Sequence, residues 1–303
     1  MKQDDKKLKN YSPLRYPGGK SRLTPFVKLL IEETEIKHPV YIEPFAGGAG
    51  IALKLLFSEV VDEIVINDFD KAIYSMWKAV LTETKAFLEL LNSTPVTVEE
   101  WKKQKQIYIE KSKKYSLELG FATFFLNRTN RSGILKAGPI GGYDQTGNYK
   151  IDARYNKEEL TERINLIATK KSKIHIYNKD VCSFFASYFR KYEDRAFVYF
   201  DPPYYNKGKL LYKNFFSHEN HLEIYEIISS IKTPWMLTYD NVDEIKNIYQ
   251  GFNGYLFDLN YSVANSGKNS ELLYLSEGLR VPYEIIRNKK INIRKISTSA
   301  APN

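Results

Sequence analysis

Short apolar runs alternate along the chain with longer segments in which apolar residues recur every three to four positions. The short runs, rich in Val, Ile, Tyr and Phe, predict strands over residues 40–45, 63–68, 173–178, 196–201, 234–239, 254–263 and 271–276. The longer segments predict helices over residues 21–36, 70–82, 98–118, 157–170, 182–192, 217–231 and 242–250. Several strands are almost entirely apolar, which is typical of strands buried on both faces. The pattern therefore predicts an α/β fold with helices on both faces of one sheet.

The spacing of these elements refines the architecture. No helix separates the last two predicted strands, whose polar connection at 264–270 predicts a closing antiparallel hairpin. Seven strands closed in this way indicate a Rossmann-like methyltransferase sheet. The second and third strands are much farther apart than a crossover connection requires. We therefore predict a discontinuous catalytic domain over 11–80 and 172–282, an inserted, mainly helical subdomain over 81–171, and a disordered tail over 291–303.

Composition excludes several classes of protein. Hydrophobic residues make up 43% of the 303 positions, enough for a full core. The one cysteine, Cys182, excludes an internal disulfide framework and an all-cysteine zinc site. No apolar run reaches the length of a membrane span, and the first residues contain no apolar stretch of the secretory type. We expect a cytoplasmic, monomeric protein.

Positive charge is concentrated in the predicted insert. The chain carries +9 overall, and residues 78–179 hold 19 Lys and Arg against 11 Asp and Glu. Residues 101–114 contain six lysines and one glutamate. This distribution favours a polyanionic partner such as nucleic acid. An ordinary solvated basic surface remains the alternative.

Two motifs suggest a nucleoside-type cofactor. Residues 41–50 (YIEPFAGGAG) run from a strand into a glycine-rich turn before a helix, where free backbone N–H groups and close ligand approach are available. Asp68 follows the next strand (VINDFD, 65–70), about twenty residues downstream of the turn. A carboxylate at this position can accept hydrogen bonds from two ribose hydroxyls. The alternative is a solvated loop aspartate.

A third motif, FVYFDPPY at 197–204, lies where a buried strand ends. Ligands of open α/β sheets bind beyond that edge. The carboxylate of Asp201, carbonyls next to prolines and an aromatic ring suit an exocyclic amino group on a flat base. The alternative is a proline-rich turn with a capping aspartate.

A fourth motif, LRYPGGK at 14–20, lacks the spacing of a triphosphate-binding loop. With YPGGK, EPFAGGAG, VINDFD and FDPPY in this order, the sequence resembles the Dam-type DNA adenine-N6 methyltransferases. Residues 124–133 (FFLNRTNRSG) are similar to an Asn-Arg segment of that family, and the resemblance extends over roughly 14–279. One departure is Ala49, where the family's turn usually has a third glycine.

The resemblance implies transfer of a methyl group from S-adenosylmethionine to the exocyclic amine of adenine rotated out of duplex DNA. It implies an S-adenosylmethionine site at Tyr16, Lys20, Glu43, Phe45, Gly47, Gly48, Asp68, Asp180 and Asp201. It implies a catalytic loop of Asp201, Pro202, Pro203 and Tyr204, in which Asp201 and the Pro202 carbonyl accept the amino hydrogens and Tyr204 stacks on the base. In the insert, Lys102, Lys103 and Lys105 are expected on phosphates, and Asn127, Arg128 and Arg131 on bases.

Several alternatives remain open at this point. The same chemistry could act on RNA adenine, cytosine N4 or a protein glutamine, and the fold could be a non-catalytic DNA-binding relic. Asn127 and its neighbours could anchor a loop, and Asp180 could cap a helix. His218 and His221 are expected on a solvated helix, without a metal. A restriction–modification role would add a cognate restriction endonuclease as partner.

Overall fold

A mixed sheet forms the centre of the computed structural model, which describes residues 10–15, 20–206, 216–258, 270–282 and 292–296. Its strands, in the order β3-β2-β1-β4-β5-β7-β6-β8, are β1 (Val40–Glu43), β2 (Glu63–Asn67), β3 (Ile174–Tyr177), β4 (Ala196–Phe200), β5 (Trp235–Asp240), β6 (Asn253–Asp258), β7 (Glu271–Leu275) and β8 (Asn292–Lys295). Strands β1 to β5 are parallel. Strand β7 is antiparallel to both β5 and β6, which confirms the closing hairpin.

Alternating side chains of the strands contribute to two separate cores. Tyr41 of β1 packs into one apolar cluster, whereas its neighbours Val40 and Ile42 pack into the other. The same alternation holds in β4, where Phe197 and Val198 point to opposite faces. Both faces of the central strands are therefore covered, as their continuous apolar sequences predict.

Ten α-helices are present among the described residues. They are α1 (Thr24–Glu33), α2 (Gly50–Phe57), α3 (Lys71–Thr82), α4 (Thr84–Ser93), α5 (Val98–Glu110), α6 (Leu117–Thr129), α7 (Lys157–Thr169), α8 (Val181–Ser187), α9 (His218–Ser230) and α10 (Asp243–Ile248). Helices α1 to α7 contribute to the core that contains Tyr41, and α8 to α10 contribute to the core that contains Val40. None of these helices is long and apolar enough to cross a membrane.

Residues 81–171, the predicted insert, share their core with the sheet. Helix α6 is buried on all sides from Leu119 onward and packs against α3. Gly120 allows this close approach, because a Cβ there would lie 2.6 Å from the carbonyl oxygen of Ser75. The single helix predicted over 98–118 is wrong. Ser116 accepts a hydrogen bond from the N–H of Leu119 (3.1 Å) and starts α6 as a new helix.

Two expectations about the C-terminal part of the chain are corrected. The sheet has eight strands in the described residues instead of seven, since β8 pairs with β6. Residues 292–295 lie in the segment predicted to be a disordered tail, but they form a strand that pairs with β6. Residues 259–263 of the predicted sixth strand lie outside the described residues.

Candidate active site

A cleft of about 1020 Å³ lies at the carboxyl ends of the parallel strands. This is the edge at which open α/β sheets bind ligands. Most of the predicted cofactor and catalytic residues line it, namely Lys20, Glu43, Phe45, Gly47, Gly48, Asp68, Asp180, Asp201, Pro203 and Tyr204. Pro202 is buried, and Tyr16 lies outside the described residues. The volume is at the upper end for ligand sites, about 300–1,000 Å³, and leaves room for a cofactor and a base together.

The glycine-rich turn is held by contacts to its backbone. The carbonyl of Gly47 accepts a hydrogen bond from Nε1 of Trp77 (2.9 Å), and its N–H donates to Oδ2 of Asp68 (2.9 Å). Ala49 adopts a left-handed conformation (φ 47°, ψ 38°) immediately before α2. That conformation costs a residue with a Cβ about 1–2 kcal/mol, which explains why glycine is favoured there. Alanine is nevertheless accommodated, and its N–H donates to the carbonyl of Ala46 (2.7 Å).

Two polar residues at the end of β2 connect the loops around the cleft. Asp68 accepts from the N–H of Asp70 at Oδ1 (2.9 Å), in addition to its bond from Gly47. Burial, followed by the charge of Asp70, raises the pKa of Asp68 to about 7. Asn67, which sequence analysis did not single out, donates to the carbonyls of Pro44 and Lys179 (3.0 Å each). It fixes the turns after β1 and β3 relative to one another.

Glu43, the last residue of β1, is a buried carboxyl group below the turn. Its Oε1 accepts a hydrogen bond from the N–H of Ala52 in the first turn of α2 (3.1 Å). Burial raises the pKa of Glu43 to about 8, although the bond from Ala52 opposes this rise. The group is therefore protonated at neutral pH when the cleft holds no ligand.

Asp201 follows β4 directly and is oriented by hydroxyl groups. Oγ1 of Thr238 donates to Oδ1 of Asp201 (2.8 Å), and Oγ1 of Thr238 lies 2.8 Å from the hydroxyl of Tyr199. Since Thr238 has one hydroxyl proton and gives it to the carboxylate, Tyr199 must be the donor in the second bond. This chain fixes the orientation of the Asp201 carboxylate, and sequence analysis identified neither hydroxyl.

Lys20 is buried against the loop that follows β4. Its Nζ donates to the hydroxyl of Tyr204 (2.6 Å) and to Oε2 of Glu271, and it lies 3.5 Å from Oδ1 of Asp201. The ammonium group is also 5.1 Å from the centre of the Tyr204 ring. Burial raises the pKa of Tyr204 well above its ordinary value. Glu271 was not predicted, because a glutamate at the start of a strand carries no distinctive sequence signal.

Asp240, at the end of β5, binds the backbone that follows Tyr204. Its carboxylate accepts from the N–H groups of Tyr205 (2.9 Å) and Asn206 (3.0 Å). The ring of His221 packs on Tyr205, with centres 5.0 Å apart, and its Nδ1 lies 2.8 Å from the hydroxyl of Tyr239. His221 is fully buried, so its expected place on a solvated helix face is wrong. Burial lowers its pKa to about 4 and keeps it neutral.

Asp180 has the capping role that was left open for it. Its Oδ1 accepts from the N–H of Ser183 (2.8 Å) at the start of α8, and the hydroxyl and N–H of Ser183 lower the pKa of Asp180. Asp180 also lines the cleft, so its capping of α8 does not prevent contact with a ligand. Cys182 is half-buried at the same edge.

The cleft is acidic in a chain with a net positive charge. Seven carboxyl residues line it against three basic ones. The carboxyl residues are Glu43, Asp68, Asp70, Asp180, Asp201, Glu223 and Glu271, and the basic ones are Arg15, Lys20 and Lys179. Such a lining attracts a cationic ligand.

In the insert, the structure corrects the role expected for Asn127. The residue is 1% exposed, and its side chain is bonded to backbone groups. Oδ1 accepts from the N–H of Arg15 (2.7 Å), while Nδ2 donates to the carbonyls of Arg15 (2.8 Å) and Gly133 (2.9 Å). An amide with its donors and acceptor occupied in this way cannot read a base edge. Asn127 is a loop anchor.

The other insert residues fall into two groups. Arg128 is 8% exposed and donates from Nε to the carbonyl of Arg154 (2.7 Å), so its expected contact with bases is also corrected. Lys105 is half-buried and donates to the carbonyl of Leu135 (2.7 Å). Lys102, Lys103 and Arg131 are exposed and remain candidates for DNA contact.

Comparison with known proteins is consistent with this geometry. The model of the D12 class N6 adenine-specific DNA methyltransferase family matches residues 16–263. The type II methyltransferase M.MjaIII of Methanocaldococcus jannaschii is 26% identical over 79% of this chain and 88% of its own length. The type II methyltransferase M1.LlaDCHI of Lactococcus lactis subsp. cremoris is 26% identical over 63% of this chain and 64% of its own.

A crystal structure of protein LPL1258 from Legionella pneumophila str. Philadelphia 1 aligns over 94% of this chain and 99% of its own, with 13% identity and a TM-score of 0.37. That likeness is too weak to carry an argument. The family model, by contrast, covers the glycine-rich turn, the end of β2, the insert and the loop after β4, all of which form or flank the cleft. The chain belongs to the D12 class of N6 adenine-specific DNA methyltransferases.

Proposed function

We propose that the protein transfers the methyl group of S-adenosylmethionine to N6 of a specific adenine that is rotated out of duplex DNA. The observation that carries the proposal is the oriented carboxylate of Asp201, which lines an acidic cleft together with Tyr204. Membership in the family supports DNA adenine as the substrate. The cofactor, the site residues and the rotated base are the finer parts of the proposal.

The cleft fits S-adenosylmethionine in charge and in hydrogen bonding. The cofactor carries a sulfonium cation, which the acidic lining favours. Asp68 accepts one hydrogen bond at each oxygen and keeps further lone pairs for ribose hydroxyls. Gly47 and Gly48 leave space for ligand approach beside them. When bound, the cofactor supplies an electrophilic methyl group.

The catalytic loop prepares the nucleophile. The amino lone pair of adenine is delocalised into the ring and reacts poorly. Asp201 and the carbonyl of Pro202 accept the two amino hydrogens, which localises the lone pair and orients it. Tyr204 stacks on the base, a contact worth about 1–3 kcal/mol in nucleic-acid complexes. The rate gain comes from positioning and electrostatics, without a covalent enzyme intermediate.

Sequencing of modified bases in DNA from cells that express the protein tests this proposal. N6-methyladenine is expected in one sequence context, and Asp201→Ala should lower methyl transfer to duplex DNA by at least about 100-fold. The variant should still fold and bind DNA. Methylation of cytosine N4 or of RNA alone, or an Asp201→Ala variant with activity within about tenfold of the parent, would refute the assignment.

We also propose that the protein protects DNA within a restriction–modification system, as a monomer acting beside a cognate restriction endonuclease. The names of M.MjaIII and M1.LlaDCHI support this role. DNA from expressing cells should resist an endonuclease that cuts the methylated sequence. Complete cleavage of fully methylated DNA by every endonuclease of that specificity would count against protection.

A further inference from the structure

Residues 10–15 lie between the insert and the cofactor turn, and we call them the connecting segment. Asn10, Ser12, Leu14 and Arg15 all line the cleft. Leu14 is 2% exposed, and Tyr11 stacks on Phe57 of α2, with ring centres 4.8 Å apart. The segment is therefore packed into the shared core.

On the insert side, the C-terminal end of α6 holds the segment at Arg15. Asn127 binds both the N–H and the carbonyl of Arg15 across 112 residues of sequence. The Arg15 guanidinium in turn donates to the carbonyl of Asn130 just beyond α6 (3.1 Å). Gly133 allows the close approach of Arg15, because a Cβ at this position would lie 2.6 Å from the Arg15 carbonyl oxygen. Arg163 of α7 adds a bond from Nη1 to the carbonyl of Ser12 (3.0 Å).

On the cofactor side, the segment holds the glycine-rich turn at Ser12. Its hydroxyl donates to the carbonyl of Gly48 (2.5 Å) and accepts from the N–H of Leu14 (3.2 Å). The connection thus runs from Asn127 through its hydrogen bonds to the Arg15 backbone, along the backbone of the connecting segment to Ser12, and through the Ser12 hydroxyl to Gly48. The end of α6 and the glycine-rich turn are therefore held by the same short segment.

We propose that the connecting segment couples DNA binding at the insert to cofactor affinity, with Asn127 and Ser12 as its two positioning residues. The inference rests on the proposed function, since it requires a cofactor at the turn and DNA at the insert. Coupling is reciprocal, so DNA changes cofactor affinity by the same factor as cofactor changes DNA affinity.

Calorimetry with S-adenosylhomocysteine, the unreactive product, measures this factor. Its Kd is determined with and without a saturating duplex that contains the methylated sequence. The parent protein should show a ratio of the two Kd values that departs from one by about threefold or more. Asn127→Ala should bring the ratio close to one, and Ser12→Ala should do the same by removing a single hydroxyl.

Asn130→Ala is the matched control. Asn130 is also buried at the end of α6, but its side chain accepts from Nε1 of Trp101 (2.6 Å) and donates to the carbonyls of Ile134 and Leu135, all within the insert. Asn130→Ala keeps the backbone carbonyl that accepts from the Arg15 guanidinium, so it should leave the Kd ratio unchanged. Thermal melts verify that each variant is folded. If Asn127→Ala does not fold, the Kd ratio of Ser12→Ala alone tests the coupling.

Three results would overturn the coupling. The first is a Kd ratio of one in the parent protein. The second is a Kd ratio in Ser12→Ala equal to that of the parent, and the third is a Kd ratio in Asn130→Ala that falls as far toward one as in Asn127→Ala. Absence of any cofactor binding by the parent protein would instead refute the proposed function, so the two failures are distinguishable.

Discussion

Glu43 combines full burial with a backbone hydrogen bond that a neutral side chain can also accept. Its pKa rises from 4.5 to about 8 in the folded protein. Between these values unfolding releases a proton, so the free energy of unfolding falls as pH rises, by up to about 1.4 kcal/mol per pH unit. Below that window both states hold the proton, and above it neither does.

Glu43→Gln should remove this dependence. The amide oxygen still accepts from Ala52, but the side chain no longer titrates. Denaturant unfolding of the cofactor-free proteins is measured at pH 5 and pH 8. The free energy of unfolding of the variant should rise relative to that of the parent protein as pH rises. Glu32→Gln, at an exposed position of α1, is the control and should follow the parent curve. If the free energies of unfolding of Glu43→Gln and the parent protein differed by the same amount at pH 5 and pH 8, the raised pKa of Glu43 would be contradicted.

At the scale of single residues, the sequence identifies candidate site residues better than it identifies their roles. Asn127 and Arg131 occur in one short polar segment, yet one is buried against backbone and the other is exposed. Asp68 and Asp201 could be identified because each follows an apolar strand at a fixed edge of the sheet. Thr238, Tyr199 and Glu271 could not, since their importance depends on which strands become neighbours in the folded sheet.

Among the elements, the loop after β4 depends on its neighbour β5. The carboxylate of Asp240 accepts from two consecutive N–H groups, at Tyr205 and Asn206, immediately after Tyr204. Asp240 is 5% exposed, so its carboxylate is largely removed from water. Its loss leaves two backbone donors without their partner and frees the end of the catalytic loop.

Asp240→Ala should therefore lower kcat by about 100-fold, the scale expected for small misplacement of reacting groups. The Kd for S-adenosylmethionine should stay within about twofold, because Asp240 does not line the cleft. Asp240→Asn, which keeps one carbonyl oxygen, should recover part of kcat. Asp243→Ala, an exposed neighbour paired with Lys246, is the control. Equal losses in kcat and cofactor affinity would indicate a general defect of the fold.

Element prediction succeeded where the local pattern and the tertiary environment agree. The parallel strands were identified because burial on both faces requires continuous apolar runs. The helix predicted over 98–118 fails because its break depends on α6 turning back to pack on α3. Strand β8 was missed because residues 292–295 acquire strand structure from pairing with β6 and carry little apolar pattern of their own.

Over the whole molecule, opposite charges are separated between the acidic cleft and the basic insert. The structure divides the lysines of α5 by their environment. Lys102 and Lys103 are exposed, whereas Lys105 anchors the loop at Leu135, where burial lowers its pKa. Exposed lysines suit phosphates and supply affinity without sequence information. Arg131, exposed beyond the end of α6, has the fork geometry that can bind a guanine edge.

Replacement of Lys102 and Lys103 with Ala should weaken binding to every duplex alike and reduce the slope of log K against log salt by up to about 2. Arg131→Ala should instead reduce discrimination between the methylated sequence and a one-base variant by about 1–3 kcal/mol. Lys37→Ala, an exposed lysine before β1 at the edge opposite the cleft, is the control for lost charge. Fluorescence anisotropy titrations of both duplexes at several salt concentrations measure all four proteins. An unchanged salt slope in the double variant, with equal losses on both duplexes in Arg131→Ala, would show that DNA binds elsewhere.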